Sequence, residues 1–246
     1  MKSNDKMPDL LKRIYAFPFM IAICIWLSLS GFFAYPYFVL TGYKAEELRN
    51  FLYFQGKVVQ LAIKFISFFN KNVVKTEFPK QPSVLVANHS CMCDTFVFFD
   101  FGVKNLVCIA KGWPFRIVFY GRYIEKAGYI NSDNKTAEEI IQLALEKLKS
   151  GIHIGIFPEG TRQSKTGRFR SLAFEIALRS GCPVVPFAIK GLNEMLPRET
   201  WFPKQTSIKY IQLDAVLPEK FKFEAGSLKM AQHVKELIVA ELQKTK

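Results

Sequence analysis

From Ile14 to Tyr43 the chain carries no charged side chain, and no other stretch restricts its fold so strongly. Such a run is long enough to cross a bilayer as a helix. It is too long for the core of a secretory signal, and no small-residue cleavage site stands in the usual place. Pro18, Pro36 and the polar Ser28-Leu29-Ser30-Gly31 interrupt it, so the expectation is either one span or a bent, re-entrant pair of short helices. Lys2, Lys6, Lys12 and Arg13 precede the run and Lys44 and Arg49 follow it. Positive charge on both sides gives orientation little help and, if both flanks face the cytoplasm, favours re-entry. A second apolar segment, 51–69, crowds Phe51, Phe54, Val58, Leu61, Phe65 and Phe69 around Lys57 and Lys64. It reads as an interfacial helix with snorkelling lysines, or else as a core helix of the domain that follows. Residues 1–72 are therefore expected to anchor the protein to a membrane, and 73–246 to fold as a separate domain.

Past residue 72 the pattern changes to short β-rich apolar runs: Val73 to Phe78, Ser83 to Ala87, Leu106 to Ala110, Gly128 to Ile130, Ile152 to Phe157, Val184 to Ile189 and Ser207 to Leu217. Amphipathic segments alternate with them. Thr136 and Glu139 form a capping box, Ala137, Ile141, Ala144 and Leu148 a stripe, and Gly151 stands where a C-terminal cap belongs. Leu172 to Ser180 ends likewise at Gly181, and Ser227 to Lys244 reads as a closing helix with Ala231, Val234, Ile238 and Leu242 on one face. Strands alternating with helices predict an α/β fold, a mixed and partly parallel sheet flanked by helices, behind an N-terminal helical membrane anchor.

Charge narrows the partners. Lys and Arg number 34 against 21 Asp and Glu, a net charge of +13, so anionic partners are expected. No basic helix with base-reading spacing and no aromatic RNA-binding strand occurs, which argues against nucleic acid; an apolar N-terminus with a basic remainder suits anionic membrane lipids. The five cysteines, 24, 91, 93, 108 and 182, are odd in number and scattered. They read as free thiols in a reducing compartment, so the domain after residue 72 is expected to face the cytoplasm from a membrane.

The chemistry concentrates at Val86-Ala87-Asn88-His89-Ser90-Cys91-Met92-Cys93-Asp94. A strand that delivers His89 at its C-terminal end, followed by a helical turn carrying Asp94, lets the carboxylate hold one imidazole nitrogen while the other takes a proton from a hydroxyl. A histidine capping a helix beside an ordinary first-turn aspartate gives the same spacing. Further along, Phe157-Pro158-Glu159-Gly160-Thr161-Arg162 follows a strand directly, and strand ends are where ligands bind in open α/β sheets. Gly160 permits a tight turn, Glu159 can accept from a hydroxyl-bearing substrate, and Arg162 can grip a phosphate with two donors. A polar loop closed by an ion pair remains the alternative. Cys91 and Cys93 also leave open a Cys-His covalent route, and with His89 and Asp94 a metal site. The four lie too close together for ordinary metal-ligand spacing, so no metal is expected. His153, alternating with Ile152 and Ile154, reads as a satisfied core histidine.

The H-x4-D and F-P-E-G-T-R motifs in this order resemble the glycerolipid acyltransferase family, the 1-acylglycerol-3-phosphate O-acyltransferases in particular. Ala110-Lys111-Gly112-Trp113-Pro114 through Gly128-Tyr129-Ile130, and Val185-Pro186-Phe187-Ala188, are similar to two further blocks of that family, so the resemblance covers roughly residues 73 to 190. It implies a glycerol-phosphate-acyltransferase-like fold. It also implies transfer of a fatty acyl group from acyl-CoA or acyl-carrier protein to the free hydroxyl of a lysophospholipid in phospholipid synthesis, with no cofactor beyond that co-substrate. His89 and Asp94 would then be catalytic, and Glu159, Gly160, Thr161, Arg162 and Lys111 would bind substrate. Two departures stand out. Asn131 and Ser132 occupy the places where the family commonly has an aspartate and an arginine, and Leu172 stands where a glycine is usual. The first leaves open a different lyso-lipid acceptor or a transacylase; a non-catalytic lipid-binding protein is the remaining alternative.

Overall fold

Seven strands build the core: β1 (Lys71–Val74), β2 (Val84–Ala87), β3 (Leu106–Ala110), β4 (Ile130–Asn131), β5 (His153–Ile156), β6 (Val184–Lys190) and β7 (Ile208–Gln212). The computed structural model describes residues 8–163, 165–200 and 202–244. The strands lie side by side in the order β1-β7-β6-β2-β5-β3-β4. From β6 to β4 every pairing is parallel, whereas β7 runs antiparallel to β6 and β1 runs parallel to β7. A parallel block needs cover on both faces, and alternation along the strands supplies apolar side chains to each. Val84 and Val86 point into one cluster with Val107 and Ile154; Leu85 and Ala87 point into the other with Leu106 and Cys108.

Helices α5 (Ala137–Lys149), α6 (Leu172–Ser180) and α8 (Gly226–Gln243) cover the first face. Their ends follow the sequence signals. Thr136 and Glu139 close a reciprocal capping box on α5, and Gly181 ends α6 in a left-handed conformation. On the other face lie α2 (Ala45–Ile66), the short α3 (Val97–Asp100) and α7 (Leu192–Met195). The packing of α2 is close enough that a Cβ at Gly56 would come within 1.9 Å of the Phe99 ring. Leu48, Leu52, Val59, Ile63 and Ile66 of α2 are buried. Phe54 and Leu61, on the opposite face of the same helix, are exposed. Lys57 pairs with Asp100 of α3 at 3.5 Å rather than snorkelling along an apolar face. The division expected at residue 72 falls inside β1.

The uncharged run folds as one helix, α1 (Asp9–Leu40), with both prolines inside it. The chain reverses after Leu40, through Gly42 and Tyr43 at positive φ, and returns as α2. A narrow seam of Ala16, Ile23, Gly31 and Phe38 is buried. Polar groups lock that seam. Trp26 Nε1 donates to Gln55 Oε1 at 2.7 Å, Gln55 Nε2 donates to Ser30 Oγ at 2.8 Å, and the hydroxyl of Tyr123, in α4 (Tyr120–Ala127), donates to the Gly31 carbonyl at 2.5 Å. The opposite face, including Ile14, Ile21, Ile25, Leu29 and Phe33, is exposed. By length and mean hydropathy of 2.0, α1 is a candidate membrane helix, and only 17% of its most apolar window is buried.

Candidate active site

β2 is buried throughout and ends where the sequence turns polar. Asn88 then clamps the departing chain to β6: its Oδ1 accepts from the Ile189 N–H at 2.8 Å and its Nδ2 donates to the Ile189 carbonyl at 3.0 Å. His89 follows, with Nδ1 at 3.0 Å from Asp94 Oδ2. Asp94 is the third residue of a 3-10 turn, Met92–Phe96, and closes a capping box with Cys91. The same Oδ2 accepts the N–H groups of Ser90 at 2.6 Å and Cys91 at 2.7 Å. Three donors thus converge on one oxygen of a carboxylate with no solvent exposure. With Nδ1 donating, the imidazole keeps Nε2 as a free acceptor. The Phe157 ring stacks on it, centroids 4.3 Å apart and planes 23° from parallel.

The second motif reaches the same place from β5, the neighbour of β2 in the sheet. Its Glu159 points inward, 3% exposed; Oε1 accepts from the His89 N–H and Oε2 from the Gly167 N–H, both at 2.9 Å. Burial raises the pKa of this carboxyl, against the lowering effect of the two amides. In this geometry Glu159 tethers two backbone segments through its two oxygens, each of which has a further lone pair. Gln163 completes the tie by donating its N–H to the His89 carbonyl at 2.8 Å. Both polar groups of the His89 peptide unit are therefore held by the 157–163 loop. Gly160, at φ +72°, makes the turn that brings this about.

Arg162 is half-buried beside Gln163, and Thr161 is exposed. Lys111 is exposed at the end of β3. β5 lies between β2 and β3, so Lys111 stands two strand spacings, about 10 Å, to the side of His89. The parallel order brings His89, Glu159, Arg162 and Lys111 to one edge of the sheet. Beside Lys111, Asn131 Oδ1 accepts the Asp133 N–H at 2.9 Å, and the Asp133 carboxylate lies over Gly112. A cleft of about 480 Å³ runs along the outside of the 157–171 loop, walled by Thr161, Gln163, Arg168, Arg170, Ser171 and Leu228.

Cys91 and Cys93 lie in the same turn as Asp94. A hydrogen bond to Cys93, together with burial, pushes the Cys91 thiol far above its usual pKa, so it holds its proton and is a poor nucleophile. Among the described residues no group of three or more His, Cys, Asp or Glu side chains is placed to hold a metal. His153 sits at the opposite edge of the sheet, where its Nδ1 accepts the Ser83 N–H at 3.1 Å. Sequence reasoning passed over Asn88 and Phe157. The polar Asn88 at the end of an apolar run was the available signal.

The chain belongs to the acyltransferase family, whose sequence profile, described as Acyltransferase, matches residues 66–190. Among similar proteins, a chloroplastic 1-acyl-sn-glycerol-3-phosphate acyltransferase of Arabidopsis thaliana is 30% identical over 158 residues, 61% of this chain and 44% of that protein. A 1-acyl-sn-glycerol-3-phosphate acyltransferase of Borreliella burgdorferi is 24% identical over 75% of this chain and 74% of its own length. This chain thus spans less than half the length of the plant relative. The crystal structure of the 1-acyl-sn-glycerophosphate acyltransferase PlsC from Thermotoga maritima superposes with a TM-score of 0.74, covering 96% of this chain and 99% of that one at 23% identity. The two share a fold.

Proposed function

We propose that the protein transfers a fatty acyl group from a thioester donor, acyl-CoA or acyl-carrier protein, to the free hydroxyl of a lysophospholipid, with 1-acylglycerol 3-phosphate the best-supported acceptor. The observation that carries this reading is the 3.0 Å contact of His89 Nδ1 with a carboxylate whose facing oxygen is fixed by two backbone amides. Nε2 takes the proton of the acceptor hydroxyl, whose oxygen forms the new ester bond at the thioester carbonyl. The C–S bond breaks, and the imidazolium returns its proton to the departing thiolate. Asp94 stabilises that imidazolium and fixes its tautomer. Arg162 is the bidentate donor for the acceptor phosphate, with Lys111 as a second positive charge.

The outer face of α1 is the membrane contact, lying in the interface of the leaflet from which the acceptor is drawn. The exposed Trp113, Ile117 and Val118 extend that face, and Phe119 joins it to α1 by packing on Phe32 and Tyr35. This apolar edge begins two residues beyond Lys111, which suits withdrawal of a lipid head group towards the site. Flotation with neutral vesicles tests the face. Leu29→Asp with Phe33→Asp is expected to release about tenfold more protein into the aqueous phase; unchanged flotation places the contact elsewhere.

Turnover of labelled acyl-CoA by purified protein, with 1-acylglycerol 3-phosphate, a larger lysophospholipid and neutral monoacylglycerol as acceptors, tests the reaction. We expect His89→Ala to abolish transfer to every acceptor, and Arg162→Ala to remove the preference for the phosphate-bearing ones. Transfer by His89→Ala at the wild-type rate overturns the mechanism. Equal use of the neutral lipid by wild type overturns the phosphate site.

A further inference from the structure

Beneath the His89–Asp94 pair the structure gathers buried polar atoms that the proposed reaction does not use. Asp94 Oδ1, Gln60 Nε2 and Tyr210 Oη are shielded from solvent and have no hydrogen-bond partner among the described residues. Native interiors rarely leave such groups unpaired. The three belong to one neighbourhood: Tyr210 of β7 packs in the same apolar cluster as Cys91, Cys93 and Ile63, and the Gln60 side chain faces its hydroxyl.

Polarity orders them. Lys71 Nζ, buried and ion-paired with Asp100, donates to Gln60 Oε1 at 2.8 Å and to the Gln60 carbonyl at 3.0 Å. That contact fixes which end of the amide is oxygen, so Nε2 must be the donor. Two donors, an amide N–H and a phenol O–H, are thus left with two carboxylate oxygens, Asp94 Oδ1 and Asp100 Oδ2, and the second already holds Lys71 Nζ as an ion pair. With Asp100 Oδ2 taken by Lys71, one direction satisfies the other three: Gln60 Nε2 to Tyr210 Oη, and the Tyr210 hydroxyl to Asp94 Oδ1, directly or across one solvent molecule. Burial keeps the phenol well above its ordinary pKa, so it remains a neutral donor. The same hydrogen-bonded direction then runs from Lys71 on β1, through α2 and β7, to the carboxylate that faces His89.

We propose that Tyr210 is a positioning residue, whose hydroxyl, held by Gln60 and Lys71, donates to Asp94 Oδ1 and sets how strongly Asp94 holds the His89 imidazole. The inference rests on reading His89 and Asp94 as the reacting pair. The other titratable groups near that pair are Glu159 from the 157–163 loop and Cys91 and Cys93 from the turn; Asp100 of α3 lies near Tyr210 and pairs with Lys57 of α2 and Lys71 of β1.

Tyr210→Phe removes the hydroxyl and keeps the ring over which Lys71 Nζ lies at 5.3 Å. Three measurements on the full chain in detergent test the proposal: Tm, the NMR titration of the His89 ring, assigned among three histidines by His153→Gln and His233→Gln, and acyl transfer. An unpaired buried hydroxyl predicts that Phe raises Tm, because its desolvation cost disappears. The proposed bond predicts a lower Tm, and a His89 titration moved upward by about half a unit or more as the unassisted carboxylate draws the proton harder. It also predicts kcat lowered about three- to tenfold at unchanged acceptor KM. If Tyr210→Phe does not fold, Gln60→Leu is read for the same upward shift. A raised Tm, or an unmoved His89 titration in the folded variant, overturns the proposal. Because the titration needs no turnover, a protein inactive towards every acceptor defeats the proposed function without deciding this network.

Discussion

His89 and His153 stand at opposite ends of neighbouring parallel strands, and the direction of one hydrogen bond separates what they can do. At the C-terminal end of β2, His89 Nδ1 meets a carboxylate, so Nδ1 donates and Nε2 is left free to accept. At the N-terminal end of β5, His153 Nδ1 accepts a backbone N–H instead. A second proton there would break that bond, and burial lowers the pKa of this ring. Residue type alone therefore does not make a base. In the proposed mechanism the partner at Nδ1 does: a carboxylate beyond the C-terminal end of β2, against a backbone amide at the N-terminal end of β5.

The largest effect expected comes from removing that difference. Asp94→Asn keeps the size of the side chain but offers one carbonyl oxygen to three donors and turns an amide towards the rest. The imidazole then loses both tautomer control and a stabilising charge. Turnover is expected to fall at least about a hundredfold with the acceptor KM little changed. A variant retaining a third of the wild-type rate would make His89 independent of its partner and dissolve the contrast with His153.

Next in size is Glu159→Gln, which asks whether the site is held by its neighbours or by substrate. The substituted amide can accept from only one of the His89 and Gly167 N–H groups and presents a donor to the other. An orphaned buried N–H costs about 1–3 kcal/mol, so a lower Tm and a reduced kcat are expected together, with the acceptor KM unchanged. A raised KM at constant Tm would instead restore Glu159 as a substrate contact.

How much of this was legible before the structure depends on the range of the cause. α6 and β3 end where the sequence signals place them, because caps and apolar runs are local. The His89 to Asp94 spacing was legible because a single turn closes it. The strand expected at Val73 to Phe78 lies instead at Lys71–Val74, since its position is set by pairing with the distant β7. Residues 51–69 show the same apolar periodicity whether that face meets lipid or core, so the burial of α2 could not be read from pattern. Glu159 was singled out by its motif, yet its tethering role depends on amides contributed by residues 89 and 167. Tyr210 and Gln60 carried no signal, each resembling an ordinary residue of its own strand or helix.

The smallest effect lies at the other end of the sheet and completes the comparison. Burial lowers the His153 pKa, and Phe78 closes on the ring edge-on at a centroid distance of 5.4 Å. The unfolded chain titrates this group near about 6.5 and therefore binds more protons than the folded chain once the pH drops towards that value. Linkage then gives the sign: the contribution to stability is fully present above about pH 6.5, and it is lost as pH falls from there through the lower folded value. His153→Gln can still accept the Ser83 N–H but does not titrate. Between pH 7.5 and 5 on the order of a few degrees of the wild-type fall in Tm should therefore be missing from the variant. The other histidines and every carboxylate are common to both proteins, so the difference between the two profiles isolates position 153. A difference profile that is flat, or that rises towards acid, would mean that folding does not disfavour protonation of the His153 ring, and the hydrogen bond from Ser83 would then not be what sets the two histidines apart.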